Sequence, residues 1–265
     1  MGVRLGYKKT DVGVIPDEWQ VRQLAEVSRK ITDGDHVTPK RESQGYYLLS
    51  ARNVLNGRID VSDVDYVGAD EYWRMKQRCG PEAGDILISC SGTIGRVAVV
   101  PADFECVLVR SAALAKINCS SANGVFIQYW LQGRRAQKQI ANSVNQGAQP
   151  NLFLNHIERL ACPLPPLPEQ NAIAEVLSSL DDKIDLLHRQ NKTLEQLAKT
   201  LFRQWFLEFS ENSKEDFVES ELGPIPKSIR ICKIEELPHL LETGKRPKGG
   251  VGLLLDGIPS IGAEN

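Results

Sequence analysis

Pro163-Leu164-Pro165-Pro166-Leu167-Pro168 opens onto Glu169-Gln170, and the run that follows places Ile173, Leu177, Leu180, Ile184, Leu187, Leu194, Ala198, Leu201 and Trp205 in alternating steps of four and three. Apolar residues at that spacing form a heptad seam. Asn191 fills the slot between Leu187 and Leu194 and shares the a position with Ile184. The pattern predicts one helix from Glu169 to about Phe209, roughly 60 Å long at a rise of 1.5 Å per residue. One seam needs one partner helix, and the chain offers no second helix of that kind. The prolines in front predict a stiff, extended connector, because proline lacks the N–H that a helix interior or central strand requires. They mark the clearest domain boundary in the chain.

The 160 residues before that boundary can bury a core of ordinary size. Tyr46-Tyr47-Leu48-Leu49, Asp85-Ile86-Leu87-Ile88, Val97-Ala98-Val99-Val100, Val107-Leu108-Val109 and Leu114-Ala115-Lys116-Ile117 read as strands. Ser91-Gly92-Thr93-Ile94-Gly95 reads as a tight turn between two of them. Thr32-Asp33-Gly34-Asp35-His36-Val37-Thr38-Pro39-Lys40-Arg41 is a polar loop that ends in two cations. Val125 to Ser143 reads as one helix with Phe126, Trp130 and Ile140 inward and Arg134, Arg135 and Lys138 on or beside an exposed face. A glycine- and glutamine-containing loop, Asn145 to Asn151, follows. The expected class is α+β, a β-rich mixed domain joined to one long coiled-coil-forming helix.

The chain then restarts. Thr10-Asp11-Val12-Gly13-Val14-Ile15-Pro16 leads to Gly34, and Ser220-Glu221-Leu222-Gly223-Pro224-Ile225-Pro226 leads to Gly244 at the same spacing. With a two-residue shift, Gly45, Ala51 and Asn53 return as Gly257, Ala263 and Asn265. So long a period excludes a solenoid unit and indicates a domain plus connector begun a second time. The expected organisation is residues 1–160 as one module, 161–212 as connector and long helix, and 213–265 as the opening of a second module. That opening is too short to bury Leu253, Leu254 and Leu255, so it is expected to be poorly ordered or loosely docked.

Lysine plus arginine number 32 against 34 acidic residues, a net charge of -2 that says little by itself. Its distribution says more. No acidic residue lies between Glu105 and Glu158, a window that holds Arg110, Lys116, Arg134, Arg135 and Lys138. Such a window is either a solvated basic helix face or a surface kept free of negative charge because it meets phosphates. The six cysteines are dispersed without a CxxC pair, which argues against a zinc site and a disulfide framework. No run of 18 apolar residues and no hydrophobic leader at Met1-Gly2-Val3-Arg4-Leu5-Gly6 is present, so a cytoplasmic chain is expected. The four histidines lack metal-ligand spacing, and no nucleophile elbow, phosphate loop or dinucleotide fingerprint occurs. Asp181-Asp182 on the long helix reads as a solvated face. These observations predict a chain without catalytic residues.

Gln149-Pro150-Asn151-Leu152, then Pro163 through Gln170, then Ile173 and the heptads, resemble the first conserved region of type I restriction-modification specificity subunits. Gly13-Val14-Ile15-Pro16-Asp17-Glu18-Trp19, Asp33-Gly34-Asp35-His36-Val37-Thr38-Pro39, and Gly84-Asp85-Ile86-Leu87 to Ser91-Gly92-Thr93-Ile94-Gly95 look like that family's target recognition domain. The resemblance implies a non-catalytic subunit that reads half of a split DNA sequence. It implies modification subunits that bind S-adenosylmethionine and methylate adenine, and restriction subunits that use ATP and Mg2+. It also implies two long helices that pair antiparallel and hold two recognition domains apart. Here the second domain is only begun and the second helix is absent. The sequence fits either a fragment or a natural half-subunit. For the latter the expectation is an antiparallel homodimer, with its axis near Asn191, that reads an interrupted palindrome. Two other readings stand beside this one: a coiled-coil assembly protein with an incidental basic face, and the specificity part of a type II-like enzyme.

Residues expected to meet double-stranded DNA are Lys40 and Arg41 after the rigid Pro39, Arg52 and Asn53 after a strand, and Arg110, Arg134, Arg135 and Lys138 from the acid-free window. Gln146 and Gln149 could contact DNA or fix the helix entry. The helix-pairing set is Ile173, Leu177, Leu180, Ile184, Leu187, Asn191, Leu194, Leu201 and Trp205.

Overall fold

The computed structural model describes residues 5–144, 150–209, 216–233 and 236. Gln146, Gln149, His239 and Leu253 to Leu255 lie outside the described residues, as does most of the segment expected to be loosely ordered. The chain divides into two units, Met1–Leu187 and His188–Asn265.

The first unit opens with a hairpin of β1 (Tyr7–Thr10) and β2 (Gly13–Pro16), followed by β3 (Gln20–Gln23) and β4 (Ser28–Asp33). β5 (Arg41–Glu42), β6 (Tyr46–Leu49) and β7 (Asp65–Val67) precede helix α1 (Ala69–Arg78). Then come β8 (Ile86–Ser89), β9 (Val97–Val99), β10 (Cys106–Leu108) and β11 (Ala112–Ile117). Helices α2 (Gly124–Gln132), α3 (Arg134–Ser143) and α4 (Leu154–Glu158) follow, then β12 (Ala161–Leu164) and the long α5 (Leu167–Phe202).

Two four-stranded sheets, ordered β10-β6-β7-β5 and β4-β11-β8-β9, form the centre. Alternation along β8 and β11 shows why these strands are buried on both faces. Leu87, Ala112 and Leu114 join Leu49, Cys106 and Leu108 in the core shared by the sheets. Ile86, Ile88, Ala113, Ala115 and Ile117 point the other way, to Phe126, Ile127 and Leu131 of α2 and Ala136 and Ile140 of α3. On the far side of the other sheet, Leu48 and Val107 pack with Tyr72 and Met75 of α1.

The single helix expected over 125–143 is two. Gly133 leaves the helical region (φ -67°, ψ 149°), ends α2 by donating to the Trp130 carbonyl, and starts α3 as its N-cap. Glycine is a poor residue for a helix interior and tolerates this break. The proline-rich stretch is also not a free connector. Ala161–Leu164 pairs antiparallel with β3, with Pro163 opposite Val21. In a sheet of two strands each strand is an edge, so proline costs no ladder bond on its open side. Pro168 falls in the first turn of α5, where its missing N–H would have no intrahelical partner. Gln170 and Ala174 are then buried against the same core, so the first turns of α5 belong to the domain.

The restart recurs in structure. In the second unit Phe217–Val218 pairs with Ile225–Pro226, with Phe217 opposite Pro226 and Val218 opposite Ile225. In the first unit Tyr7 stands opposite Pro16 and Lys8 opposite Ile15. The Thr10 hydroxyl donates to the Gly13 carbonyl and the Ser220 hydroxyl to the Gly223 carbonyl. The Asp17 N–H donates to Gly6 and the Lys227 N–H to Asp216. The repeated letters therefore encode one hairpin, formed twice in one register.

Cys79, Cys90, Cys106 and Cys162 are buried, and burial pushes each thiol up to about 12. Cys119 is exposed and Cys232 half-exposed. A thiol reagent near pH 8 should therefore label Cys119 and Cys232 in the folded chain, and the other four only on unfolding. Rapid labelling of any buried cysteine in native protein would contradict this packing.

Candidate nucleic-acid interface

Strand ends from both sheets converge on one cluster of loops. Ala113 stands opposite Asp33, and Ala112 opposite Ser89, so β4 and β8 end where β11 begins. β6 and β10 run parallel and end together at Leu49 and Leu108. The connecting turns then bond to one another. The Asp35 N–H donates to Leu108, the Arg110 N–H to Asp35, the Cys90 N–H to Ser111, and the Leu152 N–H to Cys90. The Ala51 N–H donates to the Ser111 hydroxyl at 3.1 Å. Gly34 makes the closest approach: a Cβ there would overlap the Leu108–Val109 backbone, so the Asp33-Gly34-Asp35 turn admits only glycine at its centre. Gln137 of α3 ties the β8–β9 turn through its bond to the Gly95 carbonyl at 2.9 Å.

Charge at this cluster is sorted by pairing. Arg78 bonds Asp33 at 3.0 Å, and His36 stands 2.7 Å from the other Asp33 oxygen. Arg74 pairs with Asp35 at 2.6 Å and Glu71 at 2.9 Å. Burial opposes ionisation of Asp35, but the Val37 N–H and Arg74 together hold its carboxyl below the ordinary range. Arg110 is exposed and has no acidic partner among the described residues. It lines a polar cleft of about 330 Å3 with Asp33, His36, Ser91, Asn151 and Phe153.

The other expected DNA contacts divide. Asn53 is corrected: it is 2% exposed, its amide donates to the Asp60 and Asp63 carbonyls, and its oxygen accepts the Ser50 N–H. It shapes the turn after β6 and cannot reach a base. Arg41 pairs with Asp65 at 3.1 Å, and Arg52 with Asp65 at 3.2 Å and Asp63 at 3.4 Å, so the two arginines share acids rather than presenting open charge. The Lys40 backbone N–H donates to Glu71, and its side chain is exposed. Arg134 and Lys138 are exposed one turn apart on α3, with no ion pair among the described residues. Arg135 is exposed too, but it lies where a side chain on Gly13 would sit and borders an apolar groove with Ile15, Trp19 and Trp130.

The heptad positions divide as well. Ile173 packs on the domain core, because the first turns of α5 are buried there, while Leu177 is half-buried at the edge of the apolar groove. From there the seam is open: Leu180 is 56% exposed, Ile184 51%, Leu187 44% and Leu194 61%. Asn191 is exposed, Leu201 half-buried, and Trp205, in the π-type turn Arg203–Leu207 after α5, is 47% exposed. Asp181 is held by the Tyr129 hydroxyl at 2.7 Å rather than being purely solvated.

Residues 16–196 match the family described as the type I restriction modification DNA specificity domain. The chain belongs to this family. It is 27% identical over 266 residues to the type I restriction enzyme EcoKI specificity subunit of Escherichia coli K12, covering 95% of this chain and 55% of that one. It is 27% identical over 250 residues to the MjaIX specificity subunit of Methanocaldococcus jannaschii, covering 87% and 54%. The chain thus spans about half the length of the curated relatives it matches. A chain of a solved type I restriction-modification assembly shares the fold, with a TM-score of 0.51 and 20% identity over 71% of this chain and 44% of that one.

Family membership gives the Pro-Glu-Gln entry to α5 a physical meaning. Glu169 accepts the Trp19 indole N–H at 3.2 Å. Gln170, fully buried, accepts the Asn123 N–H at 2.9 Å and donates to the Pro165 carbonyl at 2.8 Å and Ser121 at 3.3 Å. Asn123 in turn caps α2 through the Val125 and Phe126 N–H groups. The motif locks the long helix onto the domain. Among the described residues no helix is long and apolar enough to cross a membrane, and no group of three or more His, Cys, Asp or Glu could hold a metal.

Proposed function

We propose that this chain is a DNA-specificity subunit of a type I restriction-modification complex, reading one half of a bipartite duplex target. It acts without catalytic residues of its own. Modification subunits carry S-adenosylmethionine and restriction subunits carry ATP and Mg2+, in the cytoplasm. The observation that carries this reading is the family match over residues 16–196, joined to open cations in a window free of acids. The exposed stripe Leu180-Ile184-Leu187-Leu194 supports a further step, pairing of α5 with α5 of a second copy.

The test is binding of the full chain to duplex DNA as a function of salt. Affinity should fall steeply as salt rises, because each phosphate neutralised releases counterions. Changing Arg134 and Lys138 together to alanine should reduce the log–log salt slope by about one per lost contact and weaken all sequences alike. An unchanged slope would remove α3 from the interface. Absence of salt-dependent binding by the unmodified chain would remove the reading itself.

A further inference from the structure

We propose that the polar cleft beneath Arg110 is the base-reading site, and that Arg110, Asn151 and Phe153 determine which sequence is preferred. The inference rests on the DNA-binding reading above. It separates base contacts from the phosphate contacts assigned to α3.

The cleft holds both signs of hydrogen-bonding capacity. Arg110 supplies a forked guanidinium without an acidic partner among the described residues, and Asn151 supplies a side chain that can donate and accept. The Asp33 carboxylate sits in the same wall, 18% exposed and held by Arg78 and His36. A carboxylate repels a phosphate even when it is paired. A base edge, by contrast, presents donors and acceptors side by side, and Arg, Asn and Asp side chains are the types that match guanine, adenine and cytosine edges. Phe153 adds an aromatic face, 45% exposed, at the rim, where it can stack on a base or cover a thymine methyl group. The face of α3 carries Arg134 and Lys138 with the exposed Asn142 and no acid, a cationic surface that suits phosphates.

The cleft is also held rigidly. Ser91 forms a bridge with Asn151, and Asp35 with Val109. The Leu152 N–H bonds Cys90, and Gln137 fixes the turn that carries Ser91. Four separate segments therefore place their side chains against a common frame. Side chains can change there without disturbing the strands, which is what a surface of variable specificity requires.

The experiment selects duplexes from a random pool with the full unmodified chain, then measures the preferred and a scrambled duplex at two salt concentrations. Arg110→Lys, Asn151→Ala and Phe153→Ala are examined alongside. Arg110→Lys keeps the charge and loses the fork. Each variant should lower the preferred-to-scrambled affinity ratio about tenfold, with thermal unfolding unchanged and scrambled-duplex affinity within about twofold. Arg134→Ala should weaken both duplexes and leave their ratio intact. Unchanged selected sequence and ratio in all three cleft variants would overturn the proposal while leaving DNA binding in place. Binding without any preference by the unmodified chain would overturn it too, and no DNA binding at all would overturn both readings.

Discussion

Gln170→Ala is expected to destabilise the first unit by about 2–4 kcal/mol, since an unsatisfied buried polar group costs about 1–3 kcal/mol and the polar space opened can admit water to some of the groups it frees. Gln170 is fully buried and both its donors are spent, on Pro165 and Ser121, while its oxygen accepts from Asn123. Alanine leaves an N–H and two carbonyls without partners and opens a cavity beside Ala174. At about 2–4 °C per kcal/mol for a unit of this size, thermal unfolding should fall by roughly 5–15 °C. Gln170→Glu keeps the volume but removes both donors and buries a carboxyl. Its folded pKa must rise above the unfolded value, so the native state binds the proton more tightly. The loss should therefore grow as pH rises above the ordinary carboxylate range and shrink on acidification. A variant with unchanged melting at pH 7, or a Gln170→Glu loss independent of pH, would show that the clamp does not hold the helix.

The heptads were legible because an apolar step of four and three has one economical structure, and α5 follows it from Leu167 to Phe202. Periodicity could not say what covers the seam. Ile173 obeys the same rule as Leu187, yet packs on the chain's own domain, because Gln170 and Ala174 bury the first turns of α5 there. Strands β6 and β8 to β11 were legible as short apolar runs and the turn at Ser91-Gly92 from its glycines, whereas β1 to β5, β7 and β12 are short, largely polar or proline-bearing strands that no apolar run announces. Helix α1 escaped notice although Asp70-Glu71 open it and Lys76 and Arg78 close it, in accord with the helix dipole. Its buried apolar residues, Tyr72 and Met75, are too few for a periodic signal.

The candidate site was legible in part. An acid-free window is a property of composition, so Arg110, Arg134 and Lys138 could be picked out before any contact was known. Pairing is a property of the fold. Arg41 and Arg52 looked like open cations until β7 brought Asp65 between them. Asn53 looked like a base reader because asparagine often is one, but the turn after β6 spends its whole amide. His36, Ser91 and Asn151 lie far apart in sequence, and only the convergence of strand ends joins them. The loop Asp33-Gly34-Asp35-His36 carried the available clue, a glycine between two acids.

If α5 pairs with α5 of a second copy, as proposed, replacing Leu180, Leu187 and Leu194 together with glutamate should convert that dimer to monomer in sedimentation at micromolar concentration. Burying a large apolar side chain is worth about 1.5–3 kcal/mol, and these three stand 56%, 44% and 61% exposed along one stripe of α5. Ile184, between Leu180 and Leu187, is 51% exposed and continues the stripe. Two copies laid together bury each of these side chains once in either copy, so the gain doubles with the symmetry. Glutamates in their place would face one another across the seam and leave four desolvated charges or more without partners, which costs far more than the lost contacts. Asn191 lies within the same stretch and is expected to fix register, as a single polar a-position residue does. The substitutions sit on the exposed part of α5, beyond Gln170 and Ala174, so the melting of the first unit should not fall. A two-fold pair carries two identical recognition domains and must read an inverted repeat. Selection of an interrupted palindrome by the unmodified chain, lost in the triple variant, is therefore the matching result in DNA. A monomeric unmodified chain would overturn the pairing, and a complex that recognises only asymmetric targets would overturn the palindrome.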